Sequence, residues 1–316
     1  MLPIGLDTQY FHVVFTVPAS IAAIAFQNKA VVYGILFRAT VETLRTIAAD
    51  PRHLGADIGG LAVLHTWSQT LVHHPHIHCL IPGGGLSPDR TRWVNCRPGF
   101  FLPVRVLARL FRRLVLAAVQ AAFEAGQVRC TGTLAALADA KTRTRTLAEA
   151  RQIDWVVYAK PPCAGPQQVL DYIGRYRHRV ALSNDRLLDV EDGQVRFTYR
   201  DSRATTAARR KTMTLAASEF IRRFLLHVLP AGFHRIRYFG FLANRHRRDS
   251  LARCRHLLGA SSGSSTAAQD ATQHDDPAPV PAAVARSICP ACLQGRLIRV
   301  EYLTSDRCRS VIPDTS

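Results

Sequence analysis

Lysine is nearly missing from this chain of 316 residues: it occurs only at Lys29, Lys141, Lys160 and Lys211. Lys and Arg together still number 41 against 23 Asp and Glu, a net charge of +18, so arginine carries the positive charge. Guanidinium groups grip phosphate oxygens in pairs and stack on bases, so an arginine-rich surface suits nucleic acid. An anionic membrane is the weaker competitor, and a solvated surface from an arginine-biased genome is the bland one. No apolar run approaches the ~20 residues a membrane span needs. The first residues carry Asp7 and no basic stretch, so they read as a poor signal peptide. A cysteine framework is missing too: the eight cysteines are scattered, which reads as reduced thiols in a cytoplasmic protein. There is no internal repeat and no regular βαβ alternation, so the expected class is α+β with a mainly antiparallel sheet.

Apolar residues make up 47% of the chain, enough for a sizeable core. The run YFHVVFTV at 10–17 reads as a buried strand. Residues 19–49 have helical spacing, closed by Pro51 and Gly55. Two strands, about 59–67 and 74–81, are expected to pair as a hairpin, and Thr91–Asn95 to add a short strand. Pro103 opens a helix that stops at Gly126; Leu107, Leu110, Leu114 and Val119 face a core, with Arg105, Arg109, Arg112 and Arg113 largely elsewhere. A strand over 154–159 precedes a rigid turn at Pro161, Pro162, Gly165 and Pro166, then a helix over 167–181. Short strands near 186–190 and 195–200 flank a turn at 191–193. A helix over 218–229, a strand over 233–241 and a basic helical segment over 243–259 follow. The Ser, Gly, Ala, Pro and Asp-rich stretch beyond has the composition of a disordered linker. The expected organisation is a main domain over 1–258, a linker over 259–286 and a short tail over 287–316.

The densest chemistry is HHPHIH at 73–78, four histidines in six residues. Alternate side chains of a strand share a face, so His76 and His78 offer two imidazoles to one cation while Ile77 packs behind them. In a hairpin centred near Thr70–Leu71, His65 lies roughly opposite His76 and supplies a third ligand; His74 is the competing third ligand. Zn, Mn, Co, Ni and Mg are all conceivable, with imidazole favouring the softer ions. A zinc hydrolase acting on a small substrate would need a carboxylate near these histidines. None lies between Asp57 and Asp89, and no HExxH pattern occurs.

DYIGRYRHR places Tyr172 and Tyr176 four residues apart, on one face of a helix. Such a pair is ordinary packing in most proteins. It also offers two nucleophiles in sequence: a phenol is weak at neutral pH, and Arg175, Arg177 and Arg179 favour its ionised form.

Taken together, these segments resemble the two-tyrosine rolling-circle transposases of the insertion-sequence 91 group, within the His-hydrophobe-His (HUH) endonucleases. The matching stretches are LHTWSQTLVHHPHIHCLIPGGGLS at 64–87, WVVYAKPP at 155–162, VLDYIGRYRHRVALSN at 169–184, FIRRFLLHVLPAGFHRIRYFG at 220–240 and Cys-Pro-Ala-Cys at 289–292. The resemblance implies about five antiparallel strands with helices against them, the histidines on central neighbouring strands. It maps the metal pair onto His76 and His78, the third ligand onto His65 and the nucleophiles onto Tyr172 and Tyr176. It implies a divalent ion, Mg²⁺ or Mn²⁺, a 5′-phosphotyrosine intermediate, and single-stranded DNA at element ends and target as partner in a bacterial cytoplasm. Lys160, Arg175, Arg179, Lys211, Arg235 and Arg237 are the candidates to hold that strand.

Members of the family carry a cysteine-rich zinc finger before the first strand, and none precedes Tyr10 in this sequence. The expectation is a truncated member or a start further upstream, and the alternative to an active enzyme is an inactive DNA-binding remnant. Cys289 and Cys292 supply half of a four-ligand zinc site, with Cys308 as a further candidate; the remaining cysteines read as core or incidental.

Overall fold

The computed structural model describes residues 6–163, 181–201, 210–245, 247–262, 287–288 and 296–297. It divides into two units, Met1–Ser265 and Thr266–Ser316. The first contains β1 (Tyr10–Thr16), α1 (Ala19–Gln27), α2 (Lys29–Ala49), β2 (Gly60–Trp67), β3 (His73–Pro82), β4 (Gly84–Leu86) and β5 (Trp93–Asn95). It continues with α3 (Val104–Glu124), α4 (Ala140–Gln152), β6 (Val157–Cys163), β7 (Leu187–Glu191), β8 (Gln194–Arg200), β9 (Arg210–Ala216), α5 (Ala217–Leu225), β10 (Ile236–Phe239) and α6 (Arg247–Ser262). In the second unit, β11 (Ser287–Ile288) pairs antiparallel with β12 (Arg296–Leu297).

The frame is the expected antiparallel sheet of five strands, in the order β10-β2-β3-β1-β6. Alternation divides its side chains between two faces. Phe11, Val13 and Phe15 of β1 and Ile77, Cys79 and Ile81 of β3 turn to one face, where they pack against buried residues of the first four helices. Phe111 of α3 meets Phe15 edge-on at 5.0 Å between centroids. On the other face Tyr10, Leu61, Val63 and Leu80 meet Phe241, Leu242, Leu251 and Cys254. That cover extends over one end of the face, and the histidines occupy the other.

Several expectations change. The helix foreseen over 19–49 is two helices, because Asn28 interrupts it. Its amide donates to Ile24 O and Arg129 O at 3.1 Å and its Oδ1 accepts from Arg129 N at 2.7 Å, so the side chain stitches the break to a distant loop. Pro161 and Pro162 do not form a turn. They lie in β6, the edge strand, where register with β1 shifts between Tyr10↔Cys163 and His12↔Lys160. Two prolines therefore oppose the single Phe11 in a bulge, a place where missing N–H groups are tolerated. On α3 Leu107 and Val119 are buried as expected and Leu114 packs partly buried against the core, but Phe111 and Val115 are the deeper residues, and Leu110 is not among the buried ones. Helix α4 and strand β9 were not foreseen, and α6 runs to Ser262, into the stretch expected as linker.

Beside the main sheet, β7, β8 and β9 form a second antiparallel sheet. Phe197 and Ala181 pack with Leu71 at the tip of the β2–β3 hairpin. Arg186 donates to Gln69 O at 2.7 Å and Arg223 to Thr70 O at 3.2 Å, so two guanidinium groups clasp the hairpin turn. At the opposite end of β2, Gly240 has φ +59° and its Cα packs directly on the chain before β2: a Cβ there would lie 1.7 Å from Ile58 O.

Candidate metal centre

The hairpin sets the histidine geometry. His65 on β2 is directly opposite His76 on β3, and His78 is opposite Val63. Ile77 between them is fully buried on the helix-covered face, which turns His76 and His78 to the other. The ring centroids of His65 and His78 are 4.1 Å apart, His76 and His78 4.8 Å, and His65 and His76 5.4 Å. One nitrogen from each of the three lies within 4.8 Å of the others. His74, the rival third ligand, is not part of this triad. The register between β2 and β3 shifts next to His65, so His74 and Pro75 together oppose Thr66.

Hydrogen bonds fix how these rings present themselves. His76 Nδ1 is 2.6 Å from His74 O. A carbonyl only accepts, so Nδ1 carries the proton and Nε2 keeps its lone pair for a cation. His78 Nδ1 is 2.8 Å from His12 Nε2, and His78 Nε2 is buried, with no hydrogen-bond acceptor or donor against it among the described residues. His12 is a residue that sequence reasoning missed. It projects from β1 onto the same face and is 4% exposed. Burial holds His76 down to about 4; burial and then the charge of Lys160 hold His12 down to about 3. His78 is pushed down by burial first and then by its histidine neighbours and Lys160. Rings that stay neutral keep lone pairs, the state in which imidazole binds metal. Three imidazole nitrogens on a rigid sheet fit a divalent cation, and a three-ligand set leaves positions open for substrate.

The candidate DNA-holding residues part company. Lys160 on β6 is opposite His12, beside the triad. Arg237 lies on the helix side of the sheet, its guanidinium carbon 4.2 Å over the ring of Phe37 and 5.1 Å over that of Phe233. There it lines a cavity of about 650 Å³ with Arg38 and Arg45. Arg235 precedes β10, its carbonyl accepting from Leu64 N. Lys211 sits on β9, ion-paired with Asp201 at 2.7 Å. Tyr172, Tyr176, Arg175, Arg179, Cys289 and Cys292 lie outside the described residues. Among the described residues, no helix is long and apolar enough to cross a membrane.

A second histidine pair stands behind the hairpin. His73 Nε2 is 2.8 Å from Tyr33 OH, and the His227 ring lies 6.5 Å from that of His73. His227 Nε2 donates to Leu71 O at 3.2 Å, and Lys29 Nζ donates to Leu226 O and Val228 O nearby. Burial, then the charges of His227, Lys29 and His74, depress His73 to about 4. An unfolded histidine titrates near 6.5, so between those values the unfolded chain binds more protons. Stability contributed by neutral His73 is present above pH ~6.5 and lost as pH falls toward 4. Urea midpoints measured from pH 7 to 4.5 should fall, and His73→Phe should flatten the slope; an unchanged slope in the variant would remove His73 from this account.

A sheet built this way, with a histidine triad on its central strands, occurs here in a chain that belongs to a transposase family. Residues 59–250 match the family model described as "Putative transposase" (Y2_Tnp). The chain is similar to "Putative transposase y4qJ" of Sinorhizobium fredii (strain NBRC 101917 / NGR234), 60% identical over 296 residues that cover 94% of this chain and 74% of that protein. It is also similar to the "Transposase for insertion sequence element IS801" of Pseudomonas savastanoi pv. phaseolicola, 30% identical over 240 residues. That match covers 76% of this chain and 55% of the relative, so the chain spans little more than half of that relative's length. Among solved structures, a conjugative relaxase, TrwC, in complex with oriT DNA in a metal-bound form, overlaps 79% of this chain and 72% of its own. Its identity is 14% and its TM-score 0.30, too slight a likeness to bear on the fold.

Proposed function

We propose that this chain cleaves and rejoins single-stranded DNA through a tyrosine-linked intermediate, as the transfer step of rolling-circle transposition. The observation that carries this reading is the convergence of His65, His76 and His78 within 4.8 Å on adjacent strands of a transposase-family chain. A divalent cation held by these nitrogens, Mg²⁺ or Mn²⁺, would polarise the scissile phosphate and offset charge on its non-bridging oxygens.

The chain's own groups do the rest. The phenol oxygen of Tyr172 or Tyr176 gives up its proton to solvent and attacks phosphorus in line, forming a P–O(tyrosine) bond. The bond to O3′ breaks and that oxygen leaves as a 3′ hydroxyl, taking up a proton. The 5′-phosphotyrosine keeps the energy of the phosphodiester, so rejoining to another 3′ hydroxyl needs no ATP. A second tyrosine allows a second cleavage before the first end is released. Lys160, opposite His12 on the neighbouring strand, would hold the phosphate, and arginine and aromatic side chains the flanking strand.

The test is a covalent-adduct gel. The protein is incubated with Mn²⁺ and labelled single-stranded DNA from the ends of the element that encodes it. A denaturation-resistant band should appear, vanish with a chelator, and drop at least ~100-fold when His76→Ala and His78→Ala are combined. DNA that still binds without any adduct would instead mark a non-catalytic remnant.

A further inference from the structure

His76 and His78 are held in different ways. The ring of His76 is oriented by a backbone carbonyl, that of His78 by another side chain, His12. The rings of His12 and His78 are inclined by 16° with centroids 5.0 Å apart, although their nearest nitrogens are only 2.8 Å apart. Such a short gap with such a long centroid spacing means that the rings meet edge to edge, in one plane, as a linear N–H···N bond requires. Strand pairing fixes the arrangement: His12 is opposite Leu80 and Val14 opposite His78, so His12 reaches diagonally along one face of β3.

One proton lies between the two nitrogens, and only one of them can carry it. If His78 carries it on Nδ1, Nε2 has a lone pair facing the triad. If His12 carries it on Nε2, His78 must accept through Nδ1, and its own proton moves to Nε2, which blocks that nitrogen as a ligand. Both residues are buried, at 4% and 5% exposure, so bulk water is not at hand as a substitute acceptor.

We infer that His12 is a positioning residue of the metal centre: its Nε2 accepts the Nδ1 proton of His78 and so fixes His78 in the tautomer and orientation that present Nε2 to a cation. This rests on the metal-binding reading of the triad and adds to it a residue from a third strand. An outer partner of this kind sets ligand basicity and aim, and its loss typically weakens metal binding by about 10- to 100-fold. His12 touches neither the reacting phosphate nor the cation in this scheme.

The experiment measures binding of Mn²⁺ alone to the full chain by calorimetry, without DNA, for wild type, His12→Leu and His12→Gln. Leucine fills part of the space and removes the acceptor. Glutamine places Oε1 close to where Nε2 was. His12→Leu should weaken Mn²⁺ binding by at least ~10-fold, and His12→Gln should recover most of it. A purely structural role would weaken both alike, with a matching loss of melting temperature in chelator. Should His12→Leu fail to fold, wild type labelled with ¹⁵N-histidine and loaded with diamagnetic Zn²⁺ gives the answer directly. His78 should then show Nδ1–H and a coordinated Nε2. Equal Mn²⁺ affinity in His12→Leu and wild type, equal loss in both variants, or a proton on His12 Nε2 in the loaded protein each overturns the inference while leaving the triad standing. Wild type that takes up no Mn²⁺ overturns the metal reading and this inference together.

Discussion

With Tyr172 and Tyr176 both replaced by phenylalanine, the covalent DNA adduct should disappear, a fall of roughly 10³-fold or more in cleavage, to background. Phenylalanine keeps the ring and deletes only the oxygen that would bond to phosphorus. The single variants should differ from each other. The tyrosine that acts first, when lost, removes the adduct, whereas loss of the second leaves one cleavage and stops strand transfer. Arg175, Arg177 and Arg179 flank the pair in sequence, so the same variants should bind single-stranded DNA about as well as wild type. Undiminished adduct in the double variant would place the nucleophile elsewhere. Tyr158 is then next: it lies on β6 opposite Val14, which puts it on the histidine face of the sheet, and it is 51% exposed.

Gly240→Ala should produce the largest loss of stability from a single added methyl group. The position has φ +59°, where an L side chain is strained, and the new Cβ would sit 1.7 Å from Ile58 O and 2.8 Å from the Gly59 Cα. Backbone cannot yield as a flexible side chain does. We expect about 3 kcal/mol or more of destabilisation, which lowers Tm by roughly 10 °C for a domain of this size. Gly232→Ala is the matched control: φ is +71°, but nothing lies within 4 Å of the added Cβ. Conformational strain alone should cost it about 1 kcal/mol. Equal melting curves for the two variants would mean that the contact with Ile58 relaxes easily. Gly240 follows β10, which pairs with β2, the strand of His65, so the variant should also loosen the triad.

The sequence was most legible where periodicity and composition agreed. The alternation His76-Ile77-His78 and a turn centred near Thr70–Leu71 were enough to place His65 opposite His76; the turn is in fact centred on Thr70, and the extra residue at His74–Pro75 brings the pairing back to that register. His12 was not legible in the same way. It is a lone histidine in an apolar run, and only the antiparallel pairing of β1 with β3 brings it to His78. A polar residue inside an otherwise buried strand was the available signal. Helix α4 escaped because it buries only Leu147 and Ala150, too few positions to mark a face. Pro161 and Pro162 read as a turn because proline cannot donate to a ladder; at an edge strand that restriction loses its force. Arg237 carried charge suited to DNA, but strand alternation directs it to the aromatic rings of the helix layer.

That edge has a bearing on how closely copies of the chain can crowd together. An exposed β-strand is a template on which a neighbour can grow, and stacked copies then become an irreversible polymer. Among the described residues β6 closes one side of the main sheet, and Pro161 and Pro162 near its end lack the amide hydrogens that an added strand would need at that point. The opposite side ends in β10, four residues long. Copies of the chain brought close together are thus discouraged from knitting their sheets into one.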